Sequence, residues 1–147
     1  MKVVIDCDEA GAALKPLIIE HLHNLGVEAV DLNLIGKSKA DYPDVGHNLA
    51  KRIATKEFDR GILICGTGLG MAMVANKVKG VFAGTCHDVY SAERLRKSNN
   101  AQVLTMGARV VGPELAKSIV TAWVRSEFEG GRSTQKVERM RKLEEAQ

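Results

Sequence analysis

The segment Gly61-Ile-Leu-Ile-Cys-Gly-Thr-Gly-Leu-Gly-Met71 joins an apolar run to a glycine-rich loop. Residues 60–64 have the character of a buried strand, and the strand leads directly into Cys65. The three alternating glycines that follow can direct several backbone N–H groups at an anion. Because a cysteine at the mouth of such a loop can carry a proton, the segment offers both a base and a stabiliser of developing negative charge.

Apolar runs and helical patterns alternate on both sides of this segment. The predicted strands are residues 2–6, 27–32, 60–64, 81–86 and 103–106. The predicted helices are residues 14–25, 45–56, 69–77, 89–97 and 113–128, with a loop over 33–44. This alternation predicts a three-layer α/β/α sandwich around a five-stranded parallel Rossmann-like sheet. Ligands of such sheets bind beyond the carboxyl ends of the strands.

Length and composition predict a single domain over residues 1–147. Charged residues make up 27% and hydrophobic residues 45% of the chain, as in a soluble globular protein. No apolar run approaches the roughly 18 residues that span a bilayer. The amino terminus reaches Asp6 too early for a signal peptide, so a cytoplasmic location and no membrane partner are expected.

Charge and aromatic content argue against a nucleic-acid partner. The net charge is only +3, and the chain has one Trp, two Tyr and three Phe, too few for a stacking platform interleaved with basic residues. A small anionic ligand is easier to justify.

The three cysteines lack the Cys-x-x-Cys spacing of zinc or dithiol sites, so reduced thiols are expected. Cys7, Cys65 and Cys86 each fall at or just beyond the carboxyl end of a predicted strand, which places all three along one edge of the sheet. We interpret Cys7 and Cys86 as small buried hydrophobes. The glycine loop favours a functional role for Cys65.

The carboxyl-terminal segment breaks the alternating pattern. A Glu-Gly-Gly-Arg run follows Phe128, and residues 134–147 then form a charged helix with a thin apolar stripe. Such a helix often docks on a partner subunit, so we predict a homodimer that exchanges a tail of about residues 130–147. A solvated helix folded on its own domain is the alternative.

The loop does not fit the common nucleotide motifs. A dinucleotide fingerprint needs a third glycine where this chain has Met71, and the Lys-Ser/Thr ending of a triphosphate loop is absent. What remains is a thiol beside amides that can hold an anionic oxygen, with the hydroxyl of Thr67 two residues on. These groups suit proton abstraction next to a carbonyl, with the amides stabilising an enediolate.

Further segments carry a family resemblance over nearly the whole chain. They are Asp41-Tyr-Pro-Asp44, Ile64-Cys-Gly-Thr-Gly-Leu-Gly-Met71, Ala75-Asn-Lys77, Ser91-Ala-Glu93, Asn99-Asn-Ala-Gln-Val-Leu-Thr-Met-Gly-Ala-Arg-Val-Val-Gly-Pro-Glu-Leu-Ala116 and Glu127-Phe-Glu-Gly-Gly-Arg132. In these segments the sequence resembles ribose-5-phosphate isomerase B, in the family that also holds the galactose-6-phosphate isomerase subunits.

The resemblance implies an aldose–ketose isomerase of the pentose phosphate pathway that interconverts ribose 5-phosphate and ribulose 5-phosphate through an enediolate. It implies no metal and no cofactor, and a homodimer or tetramer whose sites are built from two subunits. Cys65 would be the base. The amides of the loop would hold the enediolate oxygens, with Thr67 assisting at the hydroxyls; these loop residues are Gly66, Thr67, Gly68, Leu69 and Gly70.

The remaining site residues also follow from the resemblance. Asp8 and Asn99 would bind sugar oxygens, Tyr42 would border the site, and Arg109 and Arg132 would bind the phosphate with their planar fork of donors. Simpler roles stay open. Asp8 could cap the first helix, the two arginines could be surface charges, and Tyr42 could serve loop packing alone.

Three positions depart from the family pattern, and the resemblance implies that each of them would touch the substrate. Glu9 replaces a histidine near the phosphate, where a carboxylate repels a dianion unless a cation pairs with it. Ser98 replaces the histidine credited with opening the sugar ring. Lys136 replaces an arginine, which keeps the charge but loses bidentate geometry.

These departures leave the substrate open. Ribose 5-phosphate is expected if Ser98, or Asp8 with water, opens the ring. A tetrose 4-phosphate such as erythrose or erythrulose 4-phosphate cannot form the same furanose and would need no ring-opening group. A six-carbon substrate such as allose or galactose 6-phosphate would use the volume that Ser98 frees. A non-catalytic sugar-phosphate binding module is the alternative of a different class.

Overall fold

The computed structural model describes all 147 residues as five parallel strands and six α-helices. The strands are β1 (Lys2–Cys7), β2 (Glu28–Asp31), β3 (Arg60–Cys65), β4 (Ala83–Thr85) and β5 (Val103–Gly107). They pair in the order β2-β1-β3-β5-β4. β3 therefore lies at the centre of the sheet, and Cys65 at its end is in register with Gly107 of β5.

The helices cover both faces of this sheet. They are α1 (Lys15–Asn24), α2 (Tyr42–Ala54), α3 (Leu69–Ala75), α4 (Val89–Lys97), α5 (Pro113–Val124) and α6 (Arg132–Glu145). One core contains Ile18 of α1 and Trp123 of α5, and the other contains Leu49 of α2 and Met71 of α3. The predicted three-layer sandwich is thus confirmed. None of the helices has the length and apolar character needed to cross a membrane.

Several predicted boundaries were wrong because side chains fix the ends of the helices. Helix α2 begins at Tyr42, inside the predicted loop 33–44, since Asp41 and Asp44 form a reciprocal capping box and Pro43 suits the first turn. Helix α5 ends at Val124 rather than residue 128. The guanidinium of Arg60 binds the carbonyls of Val124 and its neighbour, which satisfies acceptors at the helix end.

Two further boundaries differ from the sequence prediction. Strand β4 is three residues long rather than the predicted six, and helix α6 begins at Arg132 rather than residue 134. The flank of β4 is held by Asn76, whose side-chain amide exchanges two hydrogen bonds of 2.8 Å with the backbone of Ala83.

The terminal helix α6 contacts its own chain. Val137 is buried, and the Glu144 carboxylate accepts a hydrogen bond of 3.0 Å from the Gly80 N–H. Met140 and Leu143 stay partly exposed and, with Met73 of α3, line an open groove of about 960 Å³. The exchange of this tail with a partner subunit stays a prediction.

Candidate active site

The three cysteines lie where the sequence predicted, at or just beyond the carboxyl ends of β1, β3 and β4. All three are free and buried. Burial raises the pKa of Cys7 to about 11 and that of Cys86 to about 12, so both stay neutral thiols. Their packing in the apolar core agrees with the interpretation of these two residues as small hydrophobes.

Cys65 is distinguished by a hydrogen bond to its sulfur. The Gly68 N–H donates to Sγ over 3.0 Å. Gly68 can turn back in this way because its φ of +79° lies in the left-handed region that glycine adopts freely. The Cys65 residue as a whole is only 5% exposed.

The loop amides fall into two groups. The Gly68 N–H is engaged by the Cys65 sulfur, and the Leu69 N–H donates to the Thr67 hydroxyl at 3.3 Å. Two of the five amides expected to hold the substrate therefore already have acceptors. The N–H groups of Gly66, Thr67 and Gly70 have no acceptor within the chain and remain able to bind an anionic oxygen.

Two threonines beneath the loop were missed by sequence reasoning. The fully buried Thr105 hydroxyl on β5 donates to the Gly68 carbonyl at 2.8 Å. Thr85 on β4 lies 3.2 Å from the same carbonyl and 2.8 Å from the Thr105 hydroxyl. A threonine inside the apolar run of β5 was the one available signal, because a buried hydroxyl requires a partner.

The loop rests backbone to backbone on the end of β5. A Cβ on Gly107 would lie 2.7 Å from backbone atoms of Thr67, so no larger residue fits there. The Ala108 N–H binds the Cys65 carbonyl at 2.8 Å. On the other side of the strand, His87 Nε2 accepts the Gly107 N–H at 3.0 Å, a second contact that the sequence did not reveal.

A cleft of about 580 Å³ opens beside the loop. Its lining includes Asp8, Glu9, Lys39 and Arg109. The Asp8 carboxylate accepts the Gly11 N–H at 3.3 Å, so it caps a short 3-10 turn over Glu9–Gly11. It does not cap the helix α1, which begins at Lys15 and has no side-chain cap. Glu9, Lys39 and Arg109 make no salt bridge within the chain. Two unpaired cations thus share the cleft with four carboxylates, those of Asp8, Glu9, Asp41 and Asp44. Glu9 is the carboxylate that the sequence analysis identified as repulsive toward a phosphate.

Tyr42 and Arg109 flank the loop itself. A Cβ on Gly70 would lie 2.5 Å from the Tyr42 ring, so this glycine allows the ring to pack on the loop. The Arg109 guanidinium approaches Gly66 with similar closeness, since a Cβ there would lie 3.1 Å from Nη1. The structure therefore brings Tyr42, Arg109, Asp8 and Glu9 to the edge of the sheet that carries Cys65.

The second predicted group of residues lies at the opposite edge. Ser98 and Asn99 follow the end of α4 and precede β5. The carbonyl of Gln102, just beyond them, accepts the Gly61 N–H at the amino end of β3. Because the six residues of β3 span about 17 Å, Ser98 and Asn99 cannot reach Cys65 of the same chain.

Arg132 and Lys136 belong to this second group as well. The Glu129 N–H donates to the Lys97 carbonyl at 3.1 Å, which fixes the segment before α6 against the end of α4. Arg132 opens α6 and Lys136 lies about one turn further along the helix. One chain therefore presents the predicted site as two separate halves.

The Ser98 hydroxyl is already hydrogen-bonded within the chain. Its Oγ accepts hydrogen bonds from Arg94 Nε at 2.9 Å and Arg94 Nη2 at 2.6 Å. Arg94 also pairs with Glu129 at 3.3 Å, which holds the guanidinium in place. The sequence did not indicate this pairing, although the two residues are one helical turn apart.

The described residues include no group of three or more His, Cys, Asp or Glu side chains arranged to hold a metal ion. The polar groups near Cys65 are instead backbone amides and hydroxyls, and the neighbouring cleft holds two unpaired cations together with four carboxylates. The amides and the two cations suit an anionic substrate that undergoes proton transfer.

Comparison with known proteins agrees with this chemistry. Residues 3–140 match the family model described as Ribose/Galactose Isomerase. The chain is 46% identical to "Ribose-5-P isomerase B" of Listeria innocua, covering 99% of this chain and 98% of that protein. It is 50% identical to "D-erythrulose-4-phosphate isomerase" of Pectobacterium atrosepticum, covering 95% and 93%.

A solved structure shows the same fold. The ribose-5-phosphate isomerase B of Clostridium thermocellum superposes with a TM-score of 0.94 at 42% identity, covering 99% of each chain. The superposition covers nearly the whole of both chains, so the fold is shared from end to end.

Proposed function

This chain belongs to the ribose/galactose isomerase family, and on that premise we propose that it interconverts ribose 5-phosphate and ribulose 5-phosphate with Cys65 as the base. The coarser activity, aldose–ketose isomerisation of a sugar phosphate, follows from the family and its near relatives. The hydrogen bond from the Gly68 N–H to the Cys65 sulfur is the observation that carries the base assignment. A cysteine side chain fixed at the mouth of an amide-rich loop is equipped to move a proton.

The proposed reaction uses the loop in two ways. The Cys65 thiolate takes the proton from carbon 2 of the aldose, and the electron pair of that C–H bond forms the double bond of an enediolate. The free N–H groups of Gly66, Thr67 and Gly70 stabilise the oxygen that becomes negative. Cys65 then returns the proton to carbon 1, while a proton passes from the oxygen on carbon 2 to the oxygen on carbon 1, with the Thr67 hydroxyl assisting.

A second subunit completes the proposed site. Asp8, Tyr42 and Arg109 would come from the chain that supplies Cys65. Ser98, Asn99, Arg132 and Lys136, which lie at the far edge, would come from the partner in a homodimer. The length of β3, about 17 Å, supports this division, because Cys65 lies at its carboxyl end while Ser98 and Asn99 lie toward its amino end.

A tetrose 4-phosphate is a second candidate substrate, supported by a specific observation. The Ser98 oxygen is occupied by two guanidinium donors, so it is poorly placed to accept a proton during ring opening. Erythrose 4-phosphate has no free hydroxyl that closes a furanose, so its isomerisation needs no such step. A relative named for D-erythrulose-4-phosphate shares 50% identity with this chain.

A panel of aldose and ketose phosphates with four to six carbons tests this proposal. We expect turnover and solvent deuterium incorporation at carbon 1 or 2, with ribose 5-phosphate and erythrose 4-phosphate compared by kcat/KM. Cys65→Ala should lower kcat by about 10³-fold or more, since it removes the base. Full turnover in Cys65→Ala would overturn the base assignment. Turnover confined to four-carbon or six-carbon substrates would overturn ribose 5-phosphate as the substrate.

A further inference from the structure

We infer that Thr105 is a positioning residue for the base: its hydroxyl holds Gly68 so that the Gly68 N–H stays directed at the Cys65 sulfur. This inference rests on the proposed role of Cys65. Thr105 is not among the residues that line the substrate cleft. It is fully buried and acts through its hydrogen bond to the Gly68 carbonyl.

Gly68 is held at both of its backbone polar groups. Its N–H donates to Cys65 Sγ at 3.0 Å, and its carbonyl accepts the Thr105 hydroxyl at 2.8 Å. The same carbonyl accepts the Ala72 N–H at 3.1 Å, the bond that opens α3. Thr105 therefore ties the start of α3 to β5, in addition to the bond that the helix makes within itself.

The hydroxyls of Thr85 and Thr105 are hydrogen-bonded in a way that is limited by the number of their protons. Each hydroxyl has a single proton to donate. With Thr105 donating to Gly68, Thr85 donates either to Thr105 or to the Gly68 carbonyl, which lie 2.8 and 3.2 Å away. Thr85 on β4 thus supports Thr105 on β5, and two neighbouring strands fix one residue of the loop.

Water cannot replace the Thr105 hydroxyl. The residue is fully buried, and the backbone of Met106 packs against Gly68 so closely that a Cβ there would lie 2.8 Å from the Met106 carbonyl carbon. Valine has nearly the shape of threonine, so Thr105→Val fills the space while removing the donor. The Gly68 carbonyl then keeps only the α3 bond and the longer contact with Thr85.

Loss of the hydrogen bond between Thr105 and Gly68 should lower the rate of the proton-transfer step. Proton transfer requires the base to be held within about 0.5 Å of its productive position. A misplacement of about 1 Å can cost up to about 100-fold in rate. We expect Thr105→Val to lower kcat by about 10- to 100-fold with KM changed by less than about twofold, because the substrate cleft is untouched.

A conservative variant and a matched control separate positioning from general destabilisation. Thr105→Ser keeps the hydroxyl and should restore kcat to within about threefold of the wild type. Thr121→Val makes the same change on α5, where the hydroxyl donates to the Lys117 carbonyl and lies 2.7 Å from His21 Nε2, away from the loop, and should leave kcat unchanged. If Thr105→Val does not fold, Thr85→Val at the partly exposed β4 provides the test, with a smaller loss of about threefold.

The Gly68 amide supplies a readout that needs no substrate. Its hydrogen exchange, followed by NMR on full-length protein, should be about tenfold faster in Thr105→Val than in the wild type and in Thr121→Val. Unchanged kcat in Thr105→Val overturns the inference, even if exchange accelerates. If the wild type isomerises no sugar phosphate, the proposed function fails, and the Gly68 exchange rate still decides whether Thr105 holds the loop.

Discussion

The Arg94 guanidinium and the Ser98 hydroxyl form a two-pronged contact, with Nε and Nη2 donating to the same oxygen at 2.9 and 2.6 Å. An oxygen that accepts two cationic donors resists taking a further proton, so Ser98 retains its role as a donor only. The pair lies at the edge of the sheet opposite Cys65. In the proposed function, this pair would affect which sugar phosphate the enzyme takes.

Substitution of Ser98 tests this point. Since Ser98 is a poor proton acceptor, Ser98→Ala should change kcat/KM for a tetrose 4-phosphate by less than about threefold. The double variant Arg94→Leu/Ser98→His supplies an acid–base group and should raise kcat/KM for ribose 5-phosphate by about tenfold or more. Steady-state kinetics on both substrates provides the measurement. A complete loss of ribose 5-phosphate turnover in Ser98→Ala would contradict the prediction.

Mixed dimers test the shared site. Cys65→Ala disables one half of a site and Asn99→Ala the other, so a heterodimer of the two variants retains one intact site. Random reassociation of an equal mixture should recover about a quarter of wild-type activity, since half of the dimers are mixed and each has one working site of two. A mixture of Cys65→Ala with Cys65→Ser is the control and should stay inactive. No recovery after subunit exchange would place both halves in one chain.

Arg60 should be important for stability rather than for catalysis. Its buried guanidinium bonds the carbonyls of Trp123, Val124 and Ser126 and the Glu127 carboxylate. Arg60→Met should lower the free energy of unfolding by about 3 kcal/mol, because it leaves these acceptors without donors. The matched control is Arg52→Met, whose exposed ion pair should contribute less than about 1 kcal/mol. Urea denaturation distinguishes the two, and equal effects would refute the prediction.

Alkaline pH should destabilise the fold through the two buried thiols. Burial raises the pKa of Cys86 from 9.0 to about 12, so above pH 9 the unfolded chain loses a proton that the folded chain keeps. The unfolded state then binds fewer protons, and stability falls as pH rises. The stabilisation that the protonated Cys86 thiol contributes to the folded state is fully present below pH 9.

Cys86→Ala isolates this effect. Between pH 8 and 10.5 the free energy of unfolding of the wild type should fall by about 2 kcal/mol more than that of Cys86→Ala. The lysines and tyrosines titrate alike in both proteins, so their effects cancel. Cys7→Ala should behave similarly, since the Cys7 pKa is raised to about 11. Parallel pH profiles for wild type and variants would show that the thiols are not protected.

Gly107 should not tolerate a side chain. A Cβ there would meet the Thr67 backbone at 2.7 Å, so Gly107→Ala must displace the loop and should lower kcat by about 10²-fold. Gly112→Ala is a suitable control because nothing lies within 4 Å of its Cβ position. Its kcat should match the wild type. Wild-type kcat in Gly107→Ala would mean that the loop need not rest on β5.

The sequence predicted the five strands because buried parallel strands read as apolar runs separated by helical periodicity. The ends of several elements were wrong for a consistent reason. Helix α5 stops where Arg60 satisfies its last carbonyls, and Arg60 precedes that point by more than 60 residues. No local pattern contains such a contact.

The candidate site divides in the same way. Cys65, Thr67 and the glycines form one continuous loop, so eleven consecutive residues were enough to indicate their chemistry. The role of Thr105 could not be predicted in this way, because Thr105 lies 37 residues from Gly68 in the chain. The two residues come into contact only because β3 pairs with β5.

The sequence by itself determined the α/β fold, the glycine loop with its cysteine, and the three positions where the chain departs from its family. The fold and the loop follow from residue type and spacing, which are local in the chain, whereas the three departures follow from the resemblance to the family. Only the tertiary structure decided that the Gly68 N–H serves the sulfur, that two threonines hold Gly68, and that Ser98 and Cys65 lie at opposite edges. Those relationships depend on which strands lie side by side, and the energy that aligns them comes from packing between distant segments.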